Sequence, residues 1–264
     1  MAFPQLHPAS TIDYPDSDGL PMAESEFQLI PLLYAVAALR THFQEQANVY
    51  VGGNMFIYYE EGNRAAVVAP DVFVVLGTPK YVRSSYRLWQ EPQGPDFVLE
   101  ITSDSTRRND QNEKPKTYAR LGVREYFQYD PTGDYLVPRL QGLRLVEGTY
   151  QPMSTTVLPT GALTLHSDVL GLDLRLEGDS FHFYNPMTGQ KLLTYEEAEQ
   201  ARQQAEQARQ QAEQARQQAE AQVRDEAARR QAAEARLAAL EARLQAPQAT
   251  RPAAPPPRED QDTP

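Results

Sequence analysis

Cysteine is absent from this chain of 264 residues, and so is any long apolar run. Without cysteine there can be no disulfide, thiolate zinc site or cysteine nucleophile, which agrees with a reducing compartment. A span across a bilayer needs roughly 20 apolar residues, and the N-terminus has no basic start followed by an apolar stretch. We therefore expect a cytoplasmic protein with no membrane-spanning segment.

Positive charge is also scarce, because 25 lysines and arginines stand against 36 acidic residues and leave a net charge of -11. This balance argues against a broad basic face for nucleic acid, since such binding relies on Lys and Arg neutralising phosphates. One stretch is locally basic, and it contains Arg107, Arg108, Lys114, Lys116, Arg120 and Arg124, with Asp110 and Glu113 among them. The sequence therefore allows a narrow basic rim beside a site.

Signatures of several other chemistries are missing. The histidines are scattered along the chain: His7, His42, His166 and His182. None is paired at helical spacing, so a histidine-built zinc site is not expected. Ser103 and Ser105 lie in no Gly-x-Ser-x-Gly motif, and we interpret them as turn residues. Neither a phosphate-cradling glycine loop nor a dinucleotide fingerprint is present.

The strongest chemical signal is a pair of acids in two neighbouring β-type runs. Asp71 lies in the run 65–77 and Glu100 in the run 94–103, and both runs are β-branched or aromatic and bounded by Gly or Pro. A charged side chain in a buried strand is unfavourable unless it is paired or binds a metal. Two acids facing one cleft indicate a shared cation and metal-assisted phosphodiester cleavage. Taken alone, Asp71 fits the common surface role of a turn or strand-edge aspartate after a proline.

The segments before and between these acids suggest one helix and several strands. Apolar residues recur at helical spacing over 23–43, and they are Phe27, Ile30, Leu33, Val36, Leu39 and Phe43. Pro31 should kink this helix or mark its start. The stretches 49–51, 55–59 and 67–76 are typical of strands, whereas 78–92 is interpreted as an exposed connection or a short helix.

The segments after Glu100 predict a mixed sheet. Residues 103–113 are polar and turn-like, 116–121 form a short helix ended by Gly122, and 123–129 form a strand. A strand, helix and strand in this order predict a βαβ crossover. Short β runs over 135–183 should extend or cover the sheet.

The tail has a different character, because one heptad occurs three times, at 199–205, 206–212 and 213–219. Its alanines, Ala201, Ala205, Ala208, Ala212, Ala215 and Ala219, form one seam. This pattern predicts a coiled coil through which the chain could form a homo-oligomer, although an alanine seam buries little area. We therefore predict three parts: a globular domain over 1–193, a coiled-coil helix over 194–246 and a Pro-rich disordered tail over 247–264.

Several motifs can be compared with known families. They are YPDSDG at 14–19, APDVFVV at 69–75, PDFVLE at 95–100 and GVREY at 122–126. Together they resemble the Uma2 family of endonucleases, a branch of the restriction-endonuclease-like PD-(D/E)xK superfamily. The resemblance covers about two thirds of the chain. It implies an α/β (α+β) fold in which a restriction-endonuclease-like mixed β-sheet core is flanked by helices and followed here by the long C-terminal helix.

The resemblance also implies a set of site residues. Asp71 and Glu100 correspond to ligands of Mg²⁺ or Mn²⁺, and Glu24 to an additional acid of the same metal site. The superfamily places a lysine two residues after the second acid, where this chain has Thr102. In Uma2-like sequences the lysine lies on the following helix, four residues before a tyrosine, which corresponds to Lys114 and Tyr118.

Three of these assignments have an alternative interpretation. Pro115 suggests that the helix starts there and leaves Lys114 at its cap, with Lys116 as the fallback lysine. Glu24 fits a carboxylate at a helix N-terminus. Tyr118 fits a core residue that packs the short helix against the sheet.

We therefore expect a Mg²⁺-dependent endonuclease that acts on DNA, with Asp71, Glu100 and Lys114 as catalytic residues. One alternative is a catalytically inactive nuclease-fold module that binds nucleic acid or protein and assembles through its coiled coil. A further alternative is that the tail alone acts as an oligomerisation or docking arm.

Overall fold

The computed structural model describes residues 14–17, 25–103 and 107–245. The helices in these residues are α1 (Glu26–His42), α2 (Arg107–Arg120) and α3 (Tyr195–Gln245), with a short 3₁₀ helix at Leu88–Gln90. The strands are β1 (Val49–Gly53), β2 (Ile57–Tyr58), β3 (Val67–Val68), β4 (Val72–Leu76), β5 (Tyr86–Arg87), β6 (Phe97–Ile101), β7 (Glu125–Tyr129), β8 (Leu140–Val146), β9 (Thr149–Pro152), β10 (Thr156–Val157), β11 (Leu163–Ser167), β12 (Leu172–Glu177) and β13 (Ser180–Tyr184).

The largest sheet has six strands in the order β1-β4-β6-β7-β8-β9. Strands β6 and β7 run parallel, and each other neighbouring pair in this sheet is antiparallel. A parallel pair needs a crossover connection, and α2 provides it. The predicted βαβ unit, the mixed sheet and the mixed α/β class are therefore confirmed.

Helices α1 and α2 cover opposite faces of this sheet. On one face Leu39 of α1 packs in an apolar cluster with Val74 of β4. On the other face Tyr118 of α2 packs with Phe73 and Val98 of β4 and β6. This division follows from the alternation of side chains along a strand, which sends neighbouring residues to opposite faces.

The predicted buried face of α1 is partly wrong. Leu39 and Phe43 are buried as expected, but Phe27, Ile30 and Leu33 are exposed to 64%, 65% and 57%. The buried residues of the helix are instead Leu32, Tyr34, Ala35, Ala38 and Leu39. Because α1 is apolar on nearly every side, periodicity alone does not determine which side meets the sheet.

Two prolines lie inside helices and do not mark their starts. α1 begins at Glu26, ahead of Pro31, and α2 begins at Arg107, ahead of Pro115. The predicted turn over 103–113 is therefore wrong for residues 107–113. Proline removes one backbone hydrogen bond, but the Arg, Gln, Glu and Lys residues of α2 favour a helix strongly enough for it to continue.

The end of α2 agrees with the prediction. Gly122 has a φ of +77°, the left-handed conformation that suits a residue just past a helix. The backbone N–H of Val123 then donates to the carbonyl of Tyr118 over 3.0 Å, which closes the last turn. This turn holds the C-terminal part of α2, and with it Tyr118, close to β7.

The segment 78–92 is more ordered than predicted. It contributes β5 and the 3₁₀ helix, and Tyr86 is fully buried within it. Arg83 is buried as well, because its guanidinium forms a bidentate ion pair with Glu91 at 2.7 and 2.9 Å. A charged residue can be buried when an oppositely charged residue forms hydrogen bonds with it in this way.

The region 135–183 both extends the large sheet and forms a second one. β8 and β9 join the six-stranded sheet, whereas β10 to β13 make a separate antiparallel sheet of four strands. Buried Glu125 on β7 links the two, since it accepts hydrogen bonds from Ser167 Oγ and from the backbone N–H of Asp168.

The chain divides into two compact units, Met1–Glu199 and Gln200–Pro264. Helix α3 is continuous over 51 residues, in agreement with the predicted long C-terminal helix. Its residues from 200 to 244 are exposed, including the alanine seam, so a coiled coil stays a prediction. Within the described residues, no helix combines the length and apolar character needed to cross a membrane.

Candidate active site

Asp71 and Glu100 lie next to each other at one end of the large sheet. Val72, the first residue of β4, pairs with Leu99 of antiparallel β6. One further step in this register sets Asp71 opposite Glu100, and opposed residues of antiparallel strands share a face. In addition, Asp71 Oδ2 accepts a 2.6 Å hydrogen bond from the backbone N–H of Ile101. The structure thus brings together the two acids selected from the sequence.

A break in the chain before β4 determines where Asp71 lies. The sequence predicts one strand over 67–76, but β3 ends at Val68 and β4 begins only after Asp71. Pro70 has no N–H to give to a strand ladder. The Asp71 carbonyl accepts from the N–H of Asn54 over 3.0 Å while its side chain accepts from β6. Asp71 is therefore held between two neighbouring segments.

Glu100 is fully buried, and Tyr118 and Lys114 are among its polar partners. The Tyr118 hydroxyl donates to its Oε1 over 2.6 Å, and Lys114 Nζ lies 2.8 Å from its Oε2. A buried carboxylate is very unfavourable without such partners. The ion pair is itself largely shielded from solvent, since the Lys114 side chain is only 11% exposed.

The Tyr118 phenol is a fixed donor. Burial raises its pKa well above 10.0, and the negative charges of Glu100 and Asp71 raise it further. Tyr118 therefore stays protonated at physiological pH and keeps its hydrogen bond to Glu100.

Helix α2 brings Lys114 and Tyr118 to the site together. The two residues are four apart and lie on the same face of the helix. The expectation that Lys114 sits at a helix cap is wrong, because α2 continues through Pro115. Lys116, the fallback lysine, is 72% exposed and pairs with Glu113, so it faces away from the acids.

One polar contact of the site could not be selected from the sequence. Gln28 of α1 donates from Nε2 to the backbone carbonyl of Ile101 over 3.3 Å. The sequence marks Gln28 only by its amide side chain, which interrupts the apolar segment 27–36. Glu24, the predicted additional acid, lies outside the described residues.

Thr102 occupies the position at which the parent motif has its lysine. It is 1% exposed, and its Oγ1 has no hydrogen-bond partner in the part of the chain that the structure describes. Its backbone N–H donates to the carbonyl of Tyr129 over 2.8 Å. The strand end therefore carries a buried hydroxyl where the superfamily has a cation.

The residues of the predicted basic rim whose side chains are described lie mostly next to acidic side chains, which offset their charge. Arg124 pairs with Asp96 at 3.0 Å, and Arg120 lies 3.8 Å from Glu60. The side chains of 107–111, which include the first two arginines of the rim, lie outside the described part. Among the rim residues with described side chains, Lys114 is the one that pairs with an acid of the site, Glu100.

The oxygen atoms at this strand end suit a hard divalent cation. Mg²⁺ commonly uses one or two carboxylates together with water and substrate oxygens. Asp71 and Glu100 supply two carboxylates, and Ile101 supplies a carbonyl beside them. Across the described residues, no three or more His, Cys, Asp or Glu side chains converge as a metal cluster. The residues present fit a two-carboxylate Mg²⁺ or Mn²⁺ site and do not fit a zinc site.

Comparison with known proteins agrees with this nuclease-like arrangement. Residues 21–177, more than half of the chain, match the Uma2 family, whose description is "Putative restriction endonuclease". The protein therefore belongs to the Uma2 family, and its mixed sheet with flanking helices is the restriction-endonuclease-like core expected of that family.

Solved structures and curated proteins add little to this assignment. A crystal structure described as "a putative nuclease belonging to DUF820", from Anabaena variabilis ATCC 29413, is 12% identical and has a TM-score of 0.39. The match covers 53% of this chain and 75% of that chain. The two chains are too dissimilar for site residues to be transferred between them. No curated protein matches this chain.

Proposed function

We propose that this protein is a metal-dependent endonuclease that hydrolyses phosphodiester bonds in DNA, with Asp71, Glu100 and Lys114 as its catalytic residues. One observation carries the proposal: Asp71 and Lys114 approach the same strand end, one at the amide of Ile101 and the other at the carboxylate of Glu100. Membership of the Uma2 family supports the nuclease class.

Asp71 and Glu100 would hold a Mg²⁺ or Mn²⁺ ion, with the Ile101 carbonyl as a neutral ligand and Glu24 as a further acid. When bound, such an ion lowers the pKa of a water molecule and offsets negative charge on the phosphate. The protein keeps its ligands in place beforehand. The Ile101 amide orients Asp71, and the Tyr118 hydroxyl orients Glu100. Supporting contacts of this kind tune a metal site.

Lys114 would place a positive charge where negative charge develops during phosphodiester cleavage. It comes from a helix packed on the sheet, so its position is defined by the fold. In the resting protein its ammonium forms an ion pair with the buried carboxylate of Glu100. Tyr118 remains neutral and adds no competing negative charge.

The proposal is tested with supercoiled plasmid in the presence of Mg²⁺ or Mn²⁺, with a structured RNA as a parallel substrate. We expect the wild type to nick or linearise the plasmid. Asp71→Asn and Glu100→Gln preserve shape and remove charge, and each should lower the rate at least about 100-fold. Glu113→Gln is the matched control, because Glu113 is 68% exposed on α2. Equal cutting by the control and both site variants would refute the catalytic assignment.

A second candidate is a catalytically inactive nuclease-fold module that binds nucleic acid through the same face. Thr102, at the position where the parent motif has its lysine, favours it. Such a module would shift a DNA fragment in a gel equally with and without divalent cation while leaving the plasmid intact. Cleavage that requires both acids would eliminate this candidate.

A further inference from the structure

The outer side of α1 carries exposed apolar residues. Leu29, Ile30 and Leu33 are exposed to 41%, 65% and 57%, and Ala37 is exposed one turn further on. A surface helix normally turns its polar side to water. A contiguous apolar patch of this kind marks an interaction surface more often than chance.

The residues on this outer face are spaced symmetrically. Glu26, Leu29, Leu33, Ala37 and Arg40 follow one another at intervals of three, four, four and three residues. These intervals place all five on one stripe of a helix. The spacing is the same when counted from either end, with Leu33 at the centre and opposite charges at the two ends.

We propose that this stripe is an interface between two copies of the chain, packed antiparallel about a twofold axis at Leu33. In a twofold interface, residue i of one copy contacts residue j of the other, and residue j of the first copy contacts residue i of the second. The two Leu33 side chains then meet at the axis, Leu29 meets Ala37, and Glu26 meets Arg40. Because the stripe complements itself, it needs no other partner.

The charges at the ends favour a second copy over nucleic acid. A nucleic-acid surface would be basic along its length, whereas this stripe has one acid and one base. Arg40 donates from Nε and Nη2 to the backbone carbonyl of Val51, both at 3.2 Å. These bonds hold the guanidinium in place but do not neutralise its charge. Glu26 of the second copy can neutralise it.

The small number of residues on the stripe indicates a weak, reversible dimer. Five side chains per copy fall short of the roughly 20 to 30 residues a side of a stable interface. The heptads of α3 are a separate predicted contact, and every variant below leaves them unchanged. The interface does not depend on the proposed nuclease activity.

Sedimentation equilibrium of the full chain tests the proposal. We expect the wild type to dimerise and Leu33→Asp to weaken the dimer at least about tenfold, since two carboxylates would then face each other at the axis. Val82→Asp is the matched control, because Val82 is 98% exposed outside α1. A monomeric wild type would overturn the proposal. A monomer is the result expected if another segment of the same chain covers this face.

A charge exchange distinguishes a direct contact from damage to the fold. Glu26→Arg and Arg40→Glu should each weaken the dimer, because each places like charges across the axis. The double variant should restore the wild-type dissociation constant, an effect that misfolding cannot imitate. Thermal melting of each variant monitors the fold. A double variant as weak as the single variants, or Leu33→Asp and Val82→Asp with equal dissociation constants, would overturn the proposed interface.

Discussion

Lys114 Nζ lies 2.8 Å from Glu100 Oε2, although the two residues are fourteen positions apart and belong to different elements. The strand that bears the acid offers only the Thr102 hydroxyl at its end. The crossover helix α2 returns along the sheet and supplies the ammonium instead. The fold thus restores a cation that the local sequence lacks, and the site depends on how α2 packs.

Replacing Lys114 with Met should destabilise the fold. The change leaves Glu100 buried without its ion-pair partner, and breaking a buried pair costs about 3 kcal/mol in the free energy of unfolding. Urea denaturation measures this loss. Lys116→Met is the control, and because Lys116 is 72% exposed it should change the value by less than about 0.5 kcal/mol. Similar losses for both variants would contradict the buried ion pair.

Replacing Tyr118 with Phe should also destabilise the protein, and the loss should depend on pH. The lost hydrogen bond to a charged group is worth about 1.5 to 3 kcal/mol. Below pH 10 the difference in free energy of unfolding between wild type and variant should be constant. Above pH 10 it should narrow, because the unfolded state releases the Tyr118 proton while the folded state, whose pKa is raised, retains it.

Denaturation of both proteins between pH 7 and 11 checks this dependence. Tyr195→Phe is the control, since Tyr195 is 77% exposed and its replacement should have no effect near neutral pH. If the difference in free energy of unfolding between wild type and Tyr118→Phe widens above pH 10, the assigned direction of the Tyr118 pKa shift is wrong.

Replacing Gly52 with Ala should disturb the strand pair that positions Asp71. Gly52 of β1 pairs with Phe73 of β4, and a Cβ at Gly52 would overlap the buried Phe73 ring. Overpacking of this kind costs about 1 to 3 kcal/mol. Gly94→Ala is the control, because its Cβ would meet Leu88 at an ordinary 3.5 Å. Equal melting temperatures for the two variants would contradict the packing of β1 on β4.

The strands that carry the acids could be predicted because their signals are local. Around Asp71 and Glu100, β-branched and aromatic residues are bounded by Pro and Gly, and such runs form strands in many contexts. Gly122 likewise predicted the end of α2 by its own conformational freedom. The pairing of the two acids followed from the resemblance, and the register of β4 and β6 agrees with it.

Other features depend on tertiary packing and could not be predicted. Leu29, Leu32 and Leu33 are equally apolar, so only the sheet decides that Leu32 is buried and the other two are exposed. The start of α2 was missed because polar residues suit both a turn and a surface helix. Gln28 was missed because its contact with Ile101 joins segments far apart in sequence.

Calorimetric titration with Mn²⁺ measures whether Asp71 and Glu100 share one cation, on which the proposed site depends. We expect the wild type to bind Mn²⁺ and Asp71→Asn and Glu100→Gln each to weaken binding about 10- to 100-fold. Glu113→Gln should bind like the wild type. A wild type that binds no Mn²⁺, or binding that survives both site substitutions unchanged, would show that the two carboxylates do not share a cation.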